Sequence, residues 1–360
     1  MKIAILSAAH SIHTIKIVNG LDSFGHEVLL ISQPDHADRD GQYNEGVKIH
    51  YLKKSGKKGY FTNARELKRV LKEFSPDVFN AHYASGYGIM AALGRVRPFV
   101  LSVWGSDVYE FPYQSFVNKL LVKFNLKRAD HIFSTSHCMK KQTEKLVKNK
   151  NYTVTPFGVD CEEFCPEKRV AKSSDEPIVF GFVKGLSETY GIEYLIRAYK
   201  MLCEKTELDT RLVVYGRGAQ EEQMKALANE FGLADRIYFG GFVNHSKVAE
   251  ILGTVDIFCV PSTAESFGVS AVEAMACGVA CVTSDAEGLA EVMEQGKTGI
   301  VVEKRNVEAL CDAMLTLAEN TDLRNEMGKA GRERVLKLYD WNENIKNIEQ
   351  ALTAVANDRK

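Results

Sequence analysis

The sequence predicts an α/β protein of two doubly wound parallel-sheet domains, and three observations lead there. The chain has 360 residues, 45% of them hydrophobic, more than one core normally holds and enough to fill two. Short β-rich apolar runs alternate with stretches of helical period, the pattern of parallel strands joined by crossover helices. That alternation breaks once, in the polar segment 165–177 with prolines near both ends, and then restarts.

In the first half, the runs 3–6, 28–31, 47–51, 77–81, 99–103, 131–133 and 152–155 read as strands, near-continuously apolar because both faces of such a sheet are covered. Between the first two, Ile15, Val18, Leu21 and Phe24 fall on helical spacing and Gly25 supplies the stop. In the second half, strands at 178–183, 212–215, 237–239, 257–260, 279–283 and 299–302 are interleaved with helices at 192–202, 220–231, 245–252 and near 267–277. From 307 to 360 the pattern is almost wholly helical. The expected division is a first domain at 1–165, a linker at 166–177, a second domain at 178–338, and a helix at 339–360 packing back on the first domain. Two such sheets facing each other bring the carboxyl ends of their strands, where open α/β sheets bind ligands, to a central cleft.

Composition narrows the function. The longest apolar runs fall far short of the roughly 20 residues of a membrane-spanning helix. The opening residues 2–9 read as a buried strand, because their apolar part is too short for a signal peptide and His10-Ser11-Ile12-His13 follows at once. Eight scattered cysteines, with Cys259, Cys277 and Cys281 inside apolar segments, indicate core thiols in a reducing compartment and hence a cytoplasmic protein. Cys161 and Cys165 lack the neighbours that complete a four-ligand metal set. The net charge of −1 is uneven: residues 1–165 carry 23 Lys+Arg against 16 Asp+Glu, and the remainder 23 against 31. A basic half attracts an anionic acceptor or membrane surface, but no nucleic-acid motif accompanies it, so nucleic acid is not an expected partner.

The chemistry concentrates in segment 265–273, Glu-Ser-Phe-Gly-Val-Ser-Ala-Val-Glu, which follows the strand at 257–260. A helix entered here points the amides of Phe267, Gly268 and Val269, and the positive end of its dipole, toward a ligand, for which phosphate is the natural guest. Gly268 lets backbone approach that ligand closely. Glu273, about two turns beyond Glu265, returns to the same side as a hydroxyl acceptor. The pair reads as a nucleotide-sugar donor site.

Residues 265–292 resemble the E-x7-E region of the retaining glycosyltransferases of family 4, or group 1, whose two Rossmann-like lobes form the GT-B fold. The likeness covers the whole chain. It is carried also by Gly25-His26-Glu27-Val28, by segment 103–107 (Val-Trp-Gly-Ser-Asp), by the turn 156–160 (Pro-Phe-Gly-Val-Asp), by Tyr215-Gly216-Arg217-Gly218 and by segment 239–243 (Phe-Gly-Gly-Phe-Val). The resemblance implies that Glu265 holds hydroxyls of the donor sugar and that the following amides hold sugar and diphosphate. It further implies that Glu273 binds the ribose, that backbone near Phe242 and Val243 recognises the base, and that Gly216 and Gly218 lie beside the nucleotide.

Loss of a nucleoside diphosphate builds negative charge that a cation must meet. Relatives use a G-R-x-x-x-x-K-G loop, but here the arginine position is Gly185 and the lysine position Tyr190, which leaves Lys184 as the substitute. His82 and Asp107 fall at strand ends of the basic lobe, where they are candidates to bind the acceptor or orient its hydroxyl, and a hydrogen-bonded structural role for His82 remains open beside that. Many relatives carry a histidine where Trp104 stands. His10 and His13, in the loop where relatives have paired glycines, are candidates for the acceptor side.

No cofactor and no metal is expected, the nucleotide-sugar being a co-substrate. Asp38-Arg39-Asp40 matches a D-x-D metal motif of another fold but sits in a polar loop of the wrong lobe. Residues 116–128 combine apolar bulk with Lys119, Lys123, Lys127 and Arg128. Such a helix can lie peripherally on the inner face of an anionic membrane, and a core helix with one wet face explains the same residues. The expected activity is metal-independent, retaining transfer of a hexose-type sugar, from UDP by frequency among relatives, to a hydroxyl of a glycan, lipid-linked or small-molecule acceptor. An epimerase or hydrolase of the same architecture, and a non-catalytic nucleotide-sugar-binding protein, are the alternatives.

Overall fold

A computed structural model describes residues 1–173 and 175–358. Residue 174 of the expected linker and residues 359 and 360 of the expected last helix lie outside the described residues. Thirteen strands form two sheets among the described residues, and every pairing between named strands is parallel.

The first sheet contains β1 (Lys2–Leu6), β2 (Glu27–Ser32), β3 (Lys48–Tyr51), β4 (Val78–His82), β5 (Phe99–Val103), β6 (His131–Ser134) and β7 (Asn151–Val154) in the order β3-β2-β1-β4-β5-β6-β7. The chain winds outward from β1 in one direction and from β4 in the other, so the strand order reverses between those two. β4 and β5 are buried along their whole length and β1 is buried from Ile3 onward, so β1 and β5 read as near-continuous apolar runs, while the polar residues of β4, Asn80 and His82, are buried with hydrogen-bonded side chains.

The second sheet contains β8 (Ile178–Val183), β9 (Thr210–Tyr215), β10 (Ile237–Gly241), β11 (Ile257–Val260), β12 (Ala280–Ser284) and β13 (Gly299–Val302) in the order β10-β9-β8-β11-β12-β13. Here the reversal falls between β8 and β11. The helix Ile192–Lys205 that follows β8 buries Ile192, Leu195, Ile196, Tyr199 and Leu202 on one face, each large apolar side chain stabilising by about 1.5–3 kcal/mol. Its outer face carries the pairs Arg197–Glu193 and Lys200–Glu204.

Two compact units result, residues 1–157 with 342 onward, and residues 158–341. Residues 158–173 and 175–177 therefore pack with the second unit, although the sequence reading gives 158–165 to the first domain and 166–177 to a linker. The reason lies far along the chain: the Arg332 guanidinium donates to the carbonyls of Cys161, Phe164 and Ala276 at 2.7–2.9 Å, and Lys172 pairs with Asp256 at 2.6 Å. The helix Trp341–Asn357 lies with the first unit from Asn342 on, where Glu349 meets His26 at 3.1 Å. In the second unit the helix Glu287–Val292 has no counterpart in the sequence reading, and in the first unit the helices Gly56–Thr62, Ala64–Phe74, Gly86–Gly94 and His137–Glu144 fill stretches that the reading gives only as helical in period. The helix expected from 267 begins at Val269, because Gly268 caps it in a left-handed conformation at φ +105°.

Candidate functional site

In the second unit the loops leaving β8 and β11 flank the point where strand order reverses, the place where doubly wound sheets bind ligands. Lys184 is the first residue after β8, and Glu265 stands five residues beyond β11. Their side chains meet, Nζ to Oε2 at 2.5 Å, and are only 14% and 12% exposed. Ser262 Oγ lies 3.5 Å from the same oxygen. The Lys184 ammonium also sits 4.6 Å from the ring centroid of Tyr190, within cation–π range. A Cβ placed on Gly185 would meet that ring at 3.3 Å. The two positions where this chain departs from the family's Arg/Lys loop therefore pack against each other, and Lys184 is the cation left between them.

Glu265 leads into the helix Val269–Ala276, and its carbonyl accepts from Gly288 N at 2.9 Å. A Cβ on Gly288 would lie 2.4 Å from Phe267 N, so the helix Glu287–Val292 approaches the loop's backbone directly. Phe267 itself is buried, with its ring against Tyr339. Ser270 Oγ, in the first turn, is buried with no partner. Sequence reasoning passed over this hydroxyl, whose only signal is its place next to the cap. Glu273 is buried, and His245 Nε2 lies 2.8 Å from its Oε1. His245 was likewise read only as a helix start, although a histidine in a loop leaving a strand of this sheet is a signal in itself.

After β9 the chain turns through Gly216 and Gly218. Gly216 adopts φ +136°, and a Cβ there would come within 1.9 Å of Lys184 O. One on Gly218 would come within 2.1 Å of Leu186 O. The glycines are required because the β8 and β9 loops run against each other, held by Lys184 N to Tyr215 O at 2.9 Å and Leu186 N to Arg217 O at 3.0 Å. Phe242, one residue past β10, is exposed, and Val243 is half-buried beside it.

In the first unit the reversal between β1 and β4 is flanked by the loop holding His10, by His13 in the first turn of the helix Ile12–Ser23 where the sequence reading has it in that loop, and by the end of β4. His82, the last residue of β4, is completely buried; its Nδ1 meets Ser7 Oγ and its Nε2 meets Asn80 Oδ1, both at 3.0 Å. Burial drives its pKa down to about 3, helped by His13, so the ring is neutral. Both nitrogens are engaged and His82 has no surface to offer a ligand, the arrangement of the structural alternative. Asp107 is also buried, accepting from the amides of Ala84, Trp104 and Gly105 at 2.7–3.1 Å. Burial raises its carboxyl above the ordinary range against the pull of those N–H groups, and both oxygens serve to fix two backbone turns.

Trp104 roofs His82 at 4.4 Å between centroids, and His13 stacks on Phe157 at 3.9 Å and meets Trp104 edge-on at 5.9 Å. His10 is exposed, with its ring edge-on to His36 at 5.4 Å. An aromatic floor of His13, Trp104 and Phe157 thus stands where the sequence reading places an acceptor. Asp38 uses its carboxylate on the amides of Asp40 and Gln42, an Asx-type turn in an exposed loop. Among the described residues no helix is long and apolar enough to cross a membrane.

Residues 166–334 match the family model of the glycosyl transferases group 1, and residues 2–136 match that of the glycosyl transferase 4-like proteins. The N-acetyl-alpha-D-glucosaminyl L-malate synthase of Bacillus anthracis is 26% identical over 309 residues, 82% of this chain and 80% of that protein. Sucrose-phosphate synthase from Thermosynechococcus elongatus has a similar structure, with a TM-score of 0.85 and 22% identity over 99% of both chains. The Anabaena protein HepE, crystallised with UDP, gives a TM-score of 0.80 at 18% identity, over 98% of this chain and 100% of that one.

Proposed function

We propose, since this chain belongs to the group 1 glycosyltransferases, that it transfers a hexose-type sugar from UDP to an acceptor hydroxyl with retention of anomeric configuration and without a metal. The observation that carries the reading is the Lys184–Glu265 pair, two largely buried opposite charges meeting beside a glycine-capped helix start at the strand reversal. Such a pair places a cation where the departing diphosphate gains charge and a carboxylate where sugar hydroxyls need an acceptor. The donor enters, Lys184 moves onto its phosphates, and Glu265 is released to the hydroxyls. The amides of Phe267, Gly268 and Val269 complete the anion site.

Glu273, oriented by His245, takes the ribose through its second oxygen. Gly216 and Gly218 pass beneath the nucleotide, and backbone at Phe242 and Val243 faces the base. UDP is assigned because HepE, of the same fold, is crystallised with it. The acceptor, a glycan, a lipid-linked glycan or a small molecule, binds at the first unit near His10 and His13, with Trp104 and Phe157 as an apolar floor. His82 and Asp107 hold that floor and its turns from behind. In retention by this route the departing phosphate oxygen takes the acceptor's proton, so no side-chain nucleophile is assigned. The positive charge comes from Lys184 and the amides, and no metal is given a role.

The test is a thermal-shift screen with UDP, GDP and ADP and their sugars, followed by NMR of the product's anomeric proton. UDP at about 100 times its dissociation constant stabilises the native protein by roughly 2.7 kcal/mol, and the product keeps the donor's configuration. Stabilisation by none of the nucleotides, or an inverted product, overturns the reading. Conversion of the donor to another nucleotide-linked sugar without any acceptor would mark an epimerase instead.

A further inference from the structure

We infer that the first unit docks on an anionic lipid bilayer through the outward face of the helix Phe116–Arg128. Five of the sixteen exposed large apolar side chains among the described residues lie within 113–124: Tyr113, Phe116, Val117, Leu120 and Phe124. Phe116 is 75% exposed and Val117 63%, so most of each residue faces solvent. Phe116, Val117, Leu120 and Phe124 recur at i, i+1, i+4 and i+8 and form one stripe, while Val122, Asn125 and Leu126 on the opposite side pack into the unit. The helix is apolar on both sides, and its outer stripe is a contiguous patch of the kind that marks an interaction surface.

Charge identifies what covers it. At 3.6 residues per turn Lys119 and Lys123 line one edge of the stripe, Lys127 continues it at its C-terminal end, and Arg128 stands on the other edge. Segment 111–129 contains no acidic residue. A cavity of about 400 Å³ joins this helix to the helix Gly56–Thr62, with Leu121 and Phe111 on one wall and Lys57, Tyr60 and Phe61 on the other. That second helix extends the same chemistry: Phe61 is exposed, and segment 53–65 carries Lys53, Lys54, Lys57, Lys58 and Arg65 with no acid. A second copy of this chain seated by two-fold symmetry would bring these cations against their own equivalents, with no carboxylate in either segment to meet them. An anionic bilayer satisfies both parts, taking the aromatic and aliphatic groups into its acyl boundary and the ammonium groups among its headgroups.

The test is sedimentation of the full chain with extruded vesicles of phosphatidylcholine, with and without phosphatidylglycerol. Binding is expected only where phosphatidylglycerol is present, and salt weakens it. Lys119→Gln and Lys123→Gln are each expected to weaken it by roughly fivefold. Phe116→Glu combined with Leu120→Glu is expected to abolish it. These positions are on the surface, so melting temperatures stay at the wild-type value and a folding defect is separable from a binding defect. Three results would overturn the inference: no sedimentation with phosphatidylglycerol vesicles at low salt, undiminished binding by the double glutamate variant, or light scattering that shows a dimer which this variant dissociates.

Discussion

Replacing Lys184 by alanine tests the donor site most directly, because the side chain is asked to do two separable things. In the resting protein it neutralises Glu265 at 2.5 Å, with side chains 14% and 12% exposed. Exposed ion pairs contribute about 0–1 kcal/mol, whereas breaking a fully buried pair costs roughly 3–5 kcal/mol. A pair that keeps a little water falls between, so Lys184→Ala is expected to cost about 1–2 kcal/mol of stability. On the proposed role the loss in turnover is larger, since the cation would face charge that develops only as the diphosphate departs. Removing one such preorganised group lowers kcat by about 10²–10³, or roughly 2.7–4 kcal/mol of transition-state stabilisation. The assay is release of nucleoside diphosphate under saturating donor, beside urea unfolding of the same preparation. Glu265→Gln should also be slow, and the double variant should lose less than the sum of the two, because the residues interact. Near-wild-type release by Lys184→Ala would remove the assigned role of the pair, whatever happened to stability.

Three further outcomes are expected. Gly216→Ala, with φ +136° and a carbonyl 1.9 Å from the new methyl, should lose at least about 2 kcal/mol in urea unfolding; Gly232→Ala, at φ +68° with nothing within 4 Å, should lose only about 1 kcal/mol, and equal losses would refute the close approach of the two loops. His82 is held neutral in the fold with its pKa lowered to about 3 from 6.5, so the unfolded chain binds the extra proton between those values and stability falls as the pH drops through that window. His82→Gln cannot titrate, so it should flatten that part of the stability-versus-pH curve, and an unchanged slope would contradict the burial. Asp107→Asn puts an amide donor against backbone N–H groups that now donate to a carboxylate, and should cost about 1–3 kcal/mol in urea unfolding while leaving the added stabilisation by UDP unchanged; loss of that stabilisation at an unchanged ligand-free melting temperature would show a direct role in binding the donor.

The central strands were legible because a buried parallel strand announces itself in a short, largely apolar run; the edge strands β3 and β7 are more exposed and mixed in sequence, and all thirteen lie where the sequence places them to within two residues. The geometry of segment 265–273 was legible for a similar reason: Glu265, the glycine cap and Glu273 are neighbours in sequence, and a strand-to-helix connection fixes their relation. The helix Glu287–Val292 escaped notice because it is short and its apolar residues, Leu289 and Val292, show too little periodicity. Segment 158–165 was misplaced because its anchor is an arginine some 170 positions later.

By itself the sequence determined the two sheets and the glycine-capped entry to the helix Val269–Ala276, since these depend on periodicity, capping and turn chemistry within a few residues. Only the tertiary structure decided that Lys184 lies on Glu265, 81 positions away, that Tyr190 fills the space beside Gly185, and that His82 and Asp107 support backbone instead of facing solvent. It also decided which side of the helix Phe116–Arg128 turns outward. The physical reason is the same in each case: charge pairing, burial and exposure are set by what lies across the gap, and a helix apolar on two faces carries no internal mark of which one the core will take.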